Sequence, residues 1–265
     1  MIRFASLSSL VLLSAFATAT LDATPAAADA SLSAKDVVEK AIDADAWGRA
    51  GLEAKARVTV TEKSGQKREL AFEALSRRYA PPLSKSLLRF TAPADVSGMK
   101  FLLVQKKDGD DERTLYVPEL KRSRRIAGGN RGERFMGTDF NYADMDRRDV
   151  RTGDATLAAD ENIGKYPCYH VSVNVKDSDS PYKKVEIWVR KDNVIPLKWV
   201  MFDKSGNPSK TLVARELQKH AGRWQITRSM MTDHASGRTT EVLIENMVDH
   251  EVGGELFSVA NLEKP

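Results

Sequence analysis

From residue 56 onward the apolar positions recur at every second residue. Ala56, Val58 and Val60 alternate with Arg57, Thr59 and Thr61, and Leu70, Phe72 and Ala74 resume the alternation after the turn Ser64-Gly65-Gln66. Side chains of an extended chain point alternately to the two faces of a sheet, so this stretch predicts a β-hairpin. The same period predicts strands over 85–90, 99–106, 113–117, 122–126, 169–175, 184–190, 197–203, 211–217, 224–232 and 239–247. Turn clusters such as Lys107-Asp108-Gly109-Asp110 and Ala235-Ser236-Gly237 separate them. Short strands at spacings of about 8–12 residues predict a sandwich or a barrel. Only 33–47 has helical spacing, with Ser33 as its cap, Asp36 in its first turn, and Val37, Val38, Ala41, Ile42 and Ala44 on one face. Without repeated helical crossovers, the strands cannot be joined in parallel.

One region leaves the β pattern. Gly128-Gly129-Asn130-Arg131-Gly132 reads as a loop. In the segment that follows, Asn141 caps a short helix and Asp144 stands at its third position, a capping box with Asp in place of Glu. Phe135, Met136, Phe140, Tyr142 and Met145 give this insertion a heavy apolar load, which it must either bury or present.

The N-terminus adds a destination. Arg3 precedes an apolar run from Phe4 to Ala19, and small residues follow. This is the layout of a secretory signal peptide, and the run is too short and too rich in Ser and Thr to span a bilayer. Cleavage is expected after Ala19 or Ala28, with the second preferred because the polar chain starts there. The expected organisation is a signal peptide over 1–28 and a single domain over 29–265. No cysteine lies near either cleavage site, which argues against a lipid anchor. The one cysteine, Cys168, cannot form a disulfide within the chain, and it heads an alternating strand as a small buried hydrophobe would.

The balance of 41 basic against 37 acidic residues is only mildly positive, but it is uneven: Lys121, Arg122, Arg124, Arg125, Arg131 and Arg134 crowd one region. An exported chain meets headgroups and other proteins rather than nucleic acid, and this stretch lacks the interleaved aromatics of a single-strand binder. It reads either as a solvated strand face or as a contact for anionic headgroups or a partner. Catalytic signatures are missing: the sequence has no G-x-S-x-G elbow, no H-E-x-x-H, no phosphate loop and no dinucleotide fingerprint. Asp139, Asp144, Asp146 and Asp149 do not have the spacing of a calcium loop. Trp188 and Trp199 lie in strands, where packing in the core and lining a cavity are both open to them. The sequence therefore gives no reason to expect an enzyme, a metal or a cofactor.

Two segments carry a family resemblance. The run from Arg113 through Tyr116-Val117-Pro118-Glu119-Leu120-Lys121-Arg122 to Ile126, followed by Phe135-Met136-Gly137-Thr138-Asp139-Phe140-Asn141-Tyr142-Ala143-Asp144-Met145, resembles the LolA-like outer-membrane lipoprotein-sorting proteins. The likeness extends over roughly 34–262, and is nearest to a branch with an F-x-G-[ST]-D-F-x-Y-x-D insertion. The resemblance implies an incomplete, strongly curved antiparallel β-barrel with a few helices covering its open side. It also implies an apolar cavity for lipid or lipoprotein acyl chains, a periplasmic location and an inner-membrane transporter as partner. Cavity and lid residues are then expected at Phe101, Leu103, Tyr116, Phe135, Met136, Phe140, Tyr142, Met145, Trp188 and Trp199. Asp139, Asn141 and Asp144 are expected to hold the lid, and Lys121, Arg122, Arg124 and Arg125 to meet a partner or headgroup. The insertion itself is the expected movable cover. The alternative roles are a lipid-sensing envelope-stress regulator and a lipid-acting hydrolase.

Overall fold

The computed structural model describes Met1 and residues 32–44, 51–80 and 83–264. The expected signal peptide and both cleavage sites lie outside these residues. The first element is helix α1 (Ala34–Ala44); the rest of the expected helix, 45–47, lies outside the described residues. Its start is a reciprocal cap. The Asp36 amide donates to Ser33 Oγ, and the Ser33 amide and hydroxyl donate to the Asp36 carboxylate. That carboxylate is held below its ordinary range, chiefly by the Ser33 hydroxyl.

The alternating segments become strands β1 (Leu52–Thr61), β2 (Lys67–Ala80), β3 (Leu83–Ala92), β4 (Lys100–Val104), β5 (Glu112–Val117) and β6 (Arg122–Arg125). After the insertion come β7 (Asp154–Leu157), β8 (Glu161–Ile163), β9 (Tyr166–Asn174), β10 (Tyr182–Arg190), β11 (Pro196–Asp203), β12 (Pro208–His220), β13 (Arg223–Asp233) and β14 (Thr239–Asp249). All pair antiparallel in one sheet, ordered β6-β5-β4-β3-β2-β1-β14-β13-β12-β11-β10-β9-β7, with β8 also on β9. Two meanders are thus joined where the first strand pairs with the last. β6 and β7 end the sheet and do not pair with each other, so the barrel is incomplete. Strands β7 and β8 were not anticipated: the first is mostly exposed and the second has three residues, too little for an alternation to register.

Register shifts at Lys55/Ala56, Ala71/Phe72 and Trp188/Val189 mark bulges, which bend the strands that carry them. The inner face of the first meander buries Val58, Leu70, Phe72, Leu88, Phe90 and Phe101 in one cluster. That of the second buries Val171, Val185, Ile187, Trp199 and Met231 with Val37, Val38 and Ala41 of α1. On the outer face, the C-terminal segment, including α4 (Val259–Leu262), covers Leu75, Leu87, Leu102 and Tyr116 through Val252, Phe257 and Leu262.

The 126–153 connection leaves β6 at one free edge of the sheet and re-enters at β7, the other. It carries helices α2 (Tyr142–Asp146) and α3 (Arg148–Thr152) and packs on both inner clusters. Where it rejoins the sheet, a Cβ on Gly153 would come within 2.7 Å of the Asp149 and Asn174 carbonyl oxygens, so only glycine fits there.

Candidate functional site

A cavity of about 120 Å³ lies against the inner face of the sheet. Leu70 and Phe72 of β2, Leu88 and Phe90 of β3, and Phe101 and Leu103 of β4 form one wall. Phe135, Phe140 and Met145 of the insertion form another, and Ile42 of α1 contributes to the rim. Two smaller spaces of about 40 Å³ each adjoin it, toward Trp199 and Met231 and toward Ile226 and Ile244. Leu212 and Arg147 line all three. An apolar cavity of ~150 Å³ stays dry and accepts benzene, so this one has room for a short apolar group as it stands.

Of the residues expected at the ligand, Phe101, Leu103, Phe135, Phe140 and Met145 line the main cavity, and Trp199 lines both of its neighbours. Tyr142 is brought close but serves as packing. Its ring lies 5.7 Å from Phe101 and 5.5 Å from Phe135. Burial pushes its phenol above the ordinary range. Met136 packs at the margin of the same cluster, in a left-handed turn with Gly137. Tyr116 and Trp188 are not at the cavity. Each alternates with an inward neighbour, Leu115 or Ile187, and so faces outward. Tyr116 lies under the C-terminal segment, and Trp188 stacks on His170 with centroids 4.4 Å apart and donates its indole N–H to Glu161. Cys168 is buried on that same outer side, where burial raises its thiol pKa.

The insertion is anchored by charges inside the protein. Arg113 donates through Nε to Asp146 Oδ2 at 2.6 Å, and both side chains are almost wholly buried. Arg131 contacts Asp146 at 3.3 Å, Asp149 at 2.8 Å and Asp177 at 2.9 Å. Burial disfavours its charge, but these three carboxylates outweigh burial and push its pKa further up. Burial raises the Asp149 carboxyl against the opposing pull of Arg131 and the Ser180 hydroxyl. Asp144 receives the Asn141 amide at 2.7 Å, the Tyr182 hydroxyl at 2.8 Å and Lys210 at 3.3 Å. Burial, then Asp144, holds the Tyr182 phenol in its protonated, donating form. Asn141 therefore starts α2 with Asp144, whereas Asp139 is used elsewhere. Its amide donates to Thr240 Oγ1, and its carboxylate accepts from the same hydroxyl at 2.7 Å, which ties the loop to β14.

Sequence reasoning missed this network. Arg131 was grouped with a basic surface but is buried. A signal existed at Arg113: it shares the parity of Leu115, so it faces inward, and a buried guanidinium requires buried carboxylates. The cluster Asp139, Asp144, Asp146 and Asp149 contains them. Lys121, Arg122, Arg124 and Arg125 are exposed on β6 and the turn before it, beside Leu120, which is 64% exposed. Among the described residues, no group of three or more His, Cys, Asp or Glu side chains could hold a metal ion, and no helix is long and apolar enough to cross a membrane.

Comparison with known proteins bears on this geometry. No curated protein matches the chain. A protein from Vibrio parahaemolyticus, described as an outer membrane lipoprotein-sorting protein domain, superposes with a TM-score of 0.81 at 24% identity, covering 87% of this chain and 98% of that one. A DUF1329 family protein from Desulfovibrio piger gives 0.79 at 24% identity, covering 86% and 97%. A LolA superfamily protein from Nitrosomonas europaea gives 0.70 at 19% identity, covering 86% and 98%. A family model described as "Uncharacterized protein" matches residues 83–264, more than half of the chain. The chain belongs to the family that this model describes, and its fold is that of the LolA-like lipoprotein-sorting proteins.

Proposed function

We propose that this protein is a periplasmic carrier that shields the acyl chain of a lipid or lipoprotein and moves it towards the outer membrane. The observation that carries the reading is the apolar cavity on the inner face of an unclosed sheet. Each methylene taken out of water is worth ~0.8 kcal/mol, so a chain crossing an aqueous compartment needs such a shelter. An open sheet can widen to admit a longer chain, as a closed barrel cannot.

In this reading Phe101, Leu103, Phe135, Phe140 and Met145 meet the chain, and Tyr142 packs behind them. The buried ion pairs make the insertion a fixed inner wall, because moving it would separate charges that have no water to turn to. Helix α1 is the better candidate for the part that opens, since apolar side chains hold its inner face. The exposed Lys121, Arg122, Arg124 and Arg125, with Leu120, would touch anionic headgroups or a transporter during loading and release.

The test is displacement of a fluorescent fatty-acid analogue from the mature protein by unlabelled lipids. Saturable one-to-one binding is expected, weakened in Phe140→Ala. A folded protein that shows no saturable binding would end the carrier reading.

A further inference from the structure

Strands β13 and β14 separate partway along. They pair from Arg228↔Leu243 to Thr232↔Thr239. Among the described residues, the first part of β13 then pairs only with β12, and the second part of β14 only with β1. At the point of separation Glu216↔Arg228 is followed by Leu217↔Ile226, which leaves Thr227 as the extra residue of a bulge. A bulge re-aims side chains, and bulges are frequent beside binding sites. One of the two small spaces next to the main cavity lies here, bounded by Ile226 and Thr227 of β13 and by Val242 and Ile244 of β14. Ser229 and Val242 line both this space and the main cavity, so the two adjoin.

The polar groups at this place are unpaired. Thr227 is 3% exposed, and its hydroxyl has no hydrogen-bond partner among the described residues. Gln225, two residues before it on the same strand, is 2% exposed, and its side-chain carbonyl has none either. A buried polar atom without a partner is costly, so two on one strand call for an occupant that supplies the missing bonds. The space, about 40 Å³, exceeds the roughly 15 Å³ that a single water needs. Arg147 also lines it, but its guanidinium lies 4.7 Å over the Trp199 ring and already has a partner within the protein.

We infer that Thr227, with Gln225 beside it, forms a polar end-site for a hydroxyl group carried on the acyl chain, where β13 separates from β14. The cargo is then a hydroxyl-bearing amphiphile whose chain lies in the main cavity. The inference rests on the carrier reading and narrows its cargo. A hydroxyl both gives and accepts a hydrogen bond, so it can meet the Thr227 hydroxyl and the Gln225 side-chain amide together. An ether or ester oxygen only accepts, and leaves the Gln225 carbonyl unpaired. A fatty alcohol and a monoacylglycerol both present the required group.

The experiment compares 1-dodecanol with dodecyl methyl ether, and monododecanoylglycerol with its dimethyl ether, by displacement of the fluorescent analogue. Each pair gives a ratio of affinities, hydroxyl over ether, and ligand hydration cancels when the ratio is compared between protein variants. The ratio in the intact protein should exceed that in Thr227→Val by about threefold to tenfold, the range of one neutral hydrogen bond. Thr227→Ser should keep most of the difference, and Gln225→Met should lose part of it. The pair with the larger change identifies the source, a fatty alcohol or an acylglycerol. Without ligand, Thr227→Val should melt no lower than the intact protein, because it loses a hydroxyl that has no partner. The same ratio in the intact protein and in Thr227→Val, as water alone at these groups would give, or a clear fall in the ligand-free melting temperature, would overturn this inference and leave the carrier reading standing. Binding of no member of either pair would overturn both.

Discussion

Two parts of the molecule close the cavity, and they are held in different ways. The insertion crosses from one free edge of the sheet to the other on buried ion pairs, with Arg113 and Arg131 clasping Asp146, Asp149 and Asp177. Helix α1 lies on the second inner cluster through Val37, Val38 and Ala41, and among the described residues its charged contact with the sheet is the partly exposed pair of Asp43 with Arg78 at 3.0 Å. The difference is one of tolerance. A buried guanidinium and carboxylate must stay together or lose several kcal/mol, whereas apolar side chains can exchange one apolar neighbour for another, including an acyl chain. A carrier needs both a surface of fixed shape and a cover that can leave it.

The sharpest way to break the comparison is Asp146→Ala. It strands Arg113 and takes one carboxylate from Arg131, so stability should fall by about 3–5 kcal/mol in denaturant titration. Replacing Arg113 and Asp146 together by Met and Leu should recover much of this loss, because the penalty lies in the unpaired charge. Ile42→Ala on the cavity rim should cost less, about 2 kcal/mol at most, because the side chain is only half-buried. Its larger effect should appear in hydrogen exchange: amides of α1 should exchange faster in the variant and slow when a fatty acid is added, with those of 139–150 slow throughout. Slow exchange in α1 together with ligand-dependent exchange in the insertion would reverse the two roles. Replacing Arg122 and Arg125 by Gln should change stability by no more than about 0.5 kcal/mol. It should weaken binding to anionic vesicles, at ~1 kcal/mol per charge, mainly at low salt. Equal vesicle binding by the variant would return these side chains to the role of blunting the exposed edge strand β6.

Much of the fold was legible because one face of each long strand is buried and the other is not. The hairpin of β1 and β2 follows the alternation of Val58, Val60, Leu70 and Phe72 residue by residue. The same rule puts Phe101 and Leu103 on the inner face and Trp188 and Tyr116 on the outer one, whereas the family resemblance grouped all four at the cavity. Parity against Ile187 and Leu115 gives the answer for Trp188 and Tyr116. The buried charges were harder to see. Arginine and aspartate read as solvent-facing by composition, and only pairing across 33 residues, as between Arg113 and Asp146, makes their burial tolerable. Arg147 carried no periodic signal at all, since its orientation depends on a left-handed turn between two five-residue helices.

The central claim is that the cavity inside the open sheet holds an acyl chain. Native mass spectrometry of the mature protein incubated with dodecanoic acid, set beside Leu103→Trp, tests it most directly. Leu103 faces the cavity from β4, and an indole in its place fills the space without touching the outer surface. The account predicts a one-to-one adduct on the intact protein and its loss in a variant whose charge-state distribution shows it still folded. An adduct that persists undiminished in the folded variant would mean that the chain binds elsewhere, and would contradict the account.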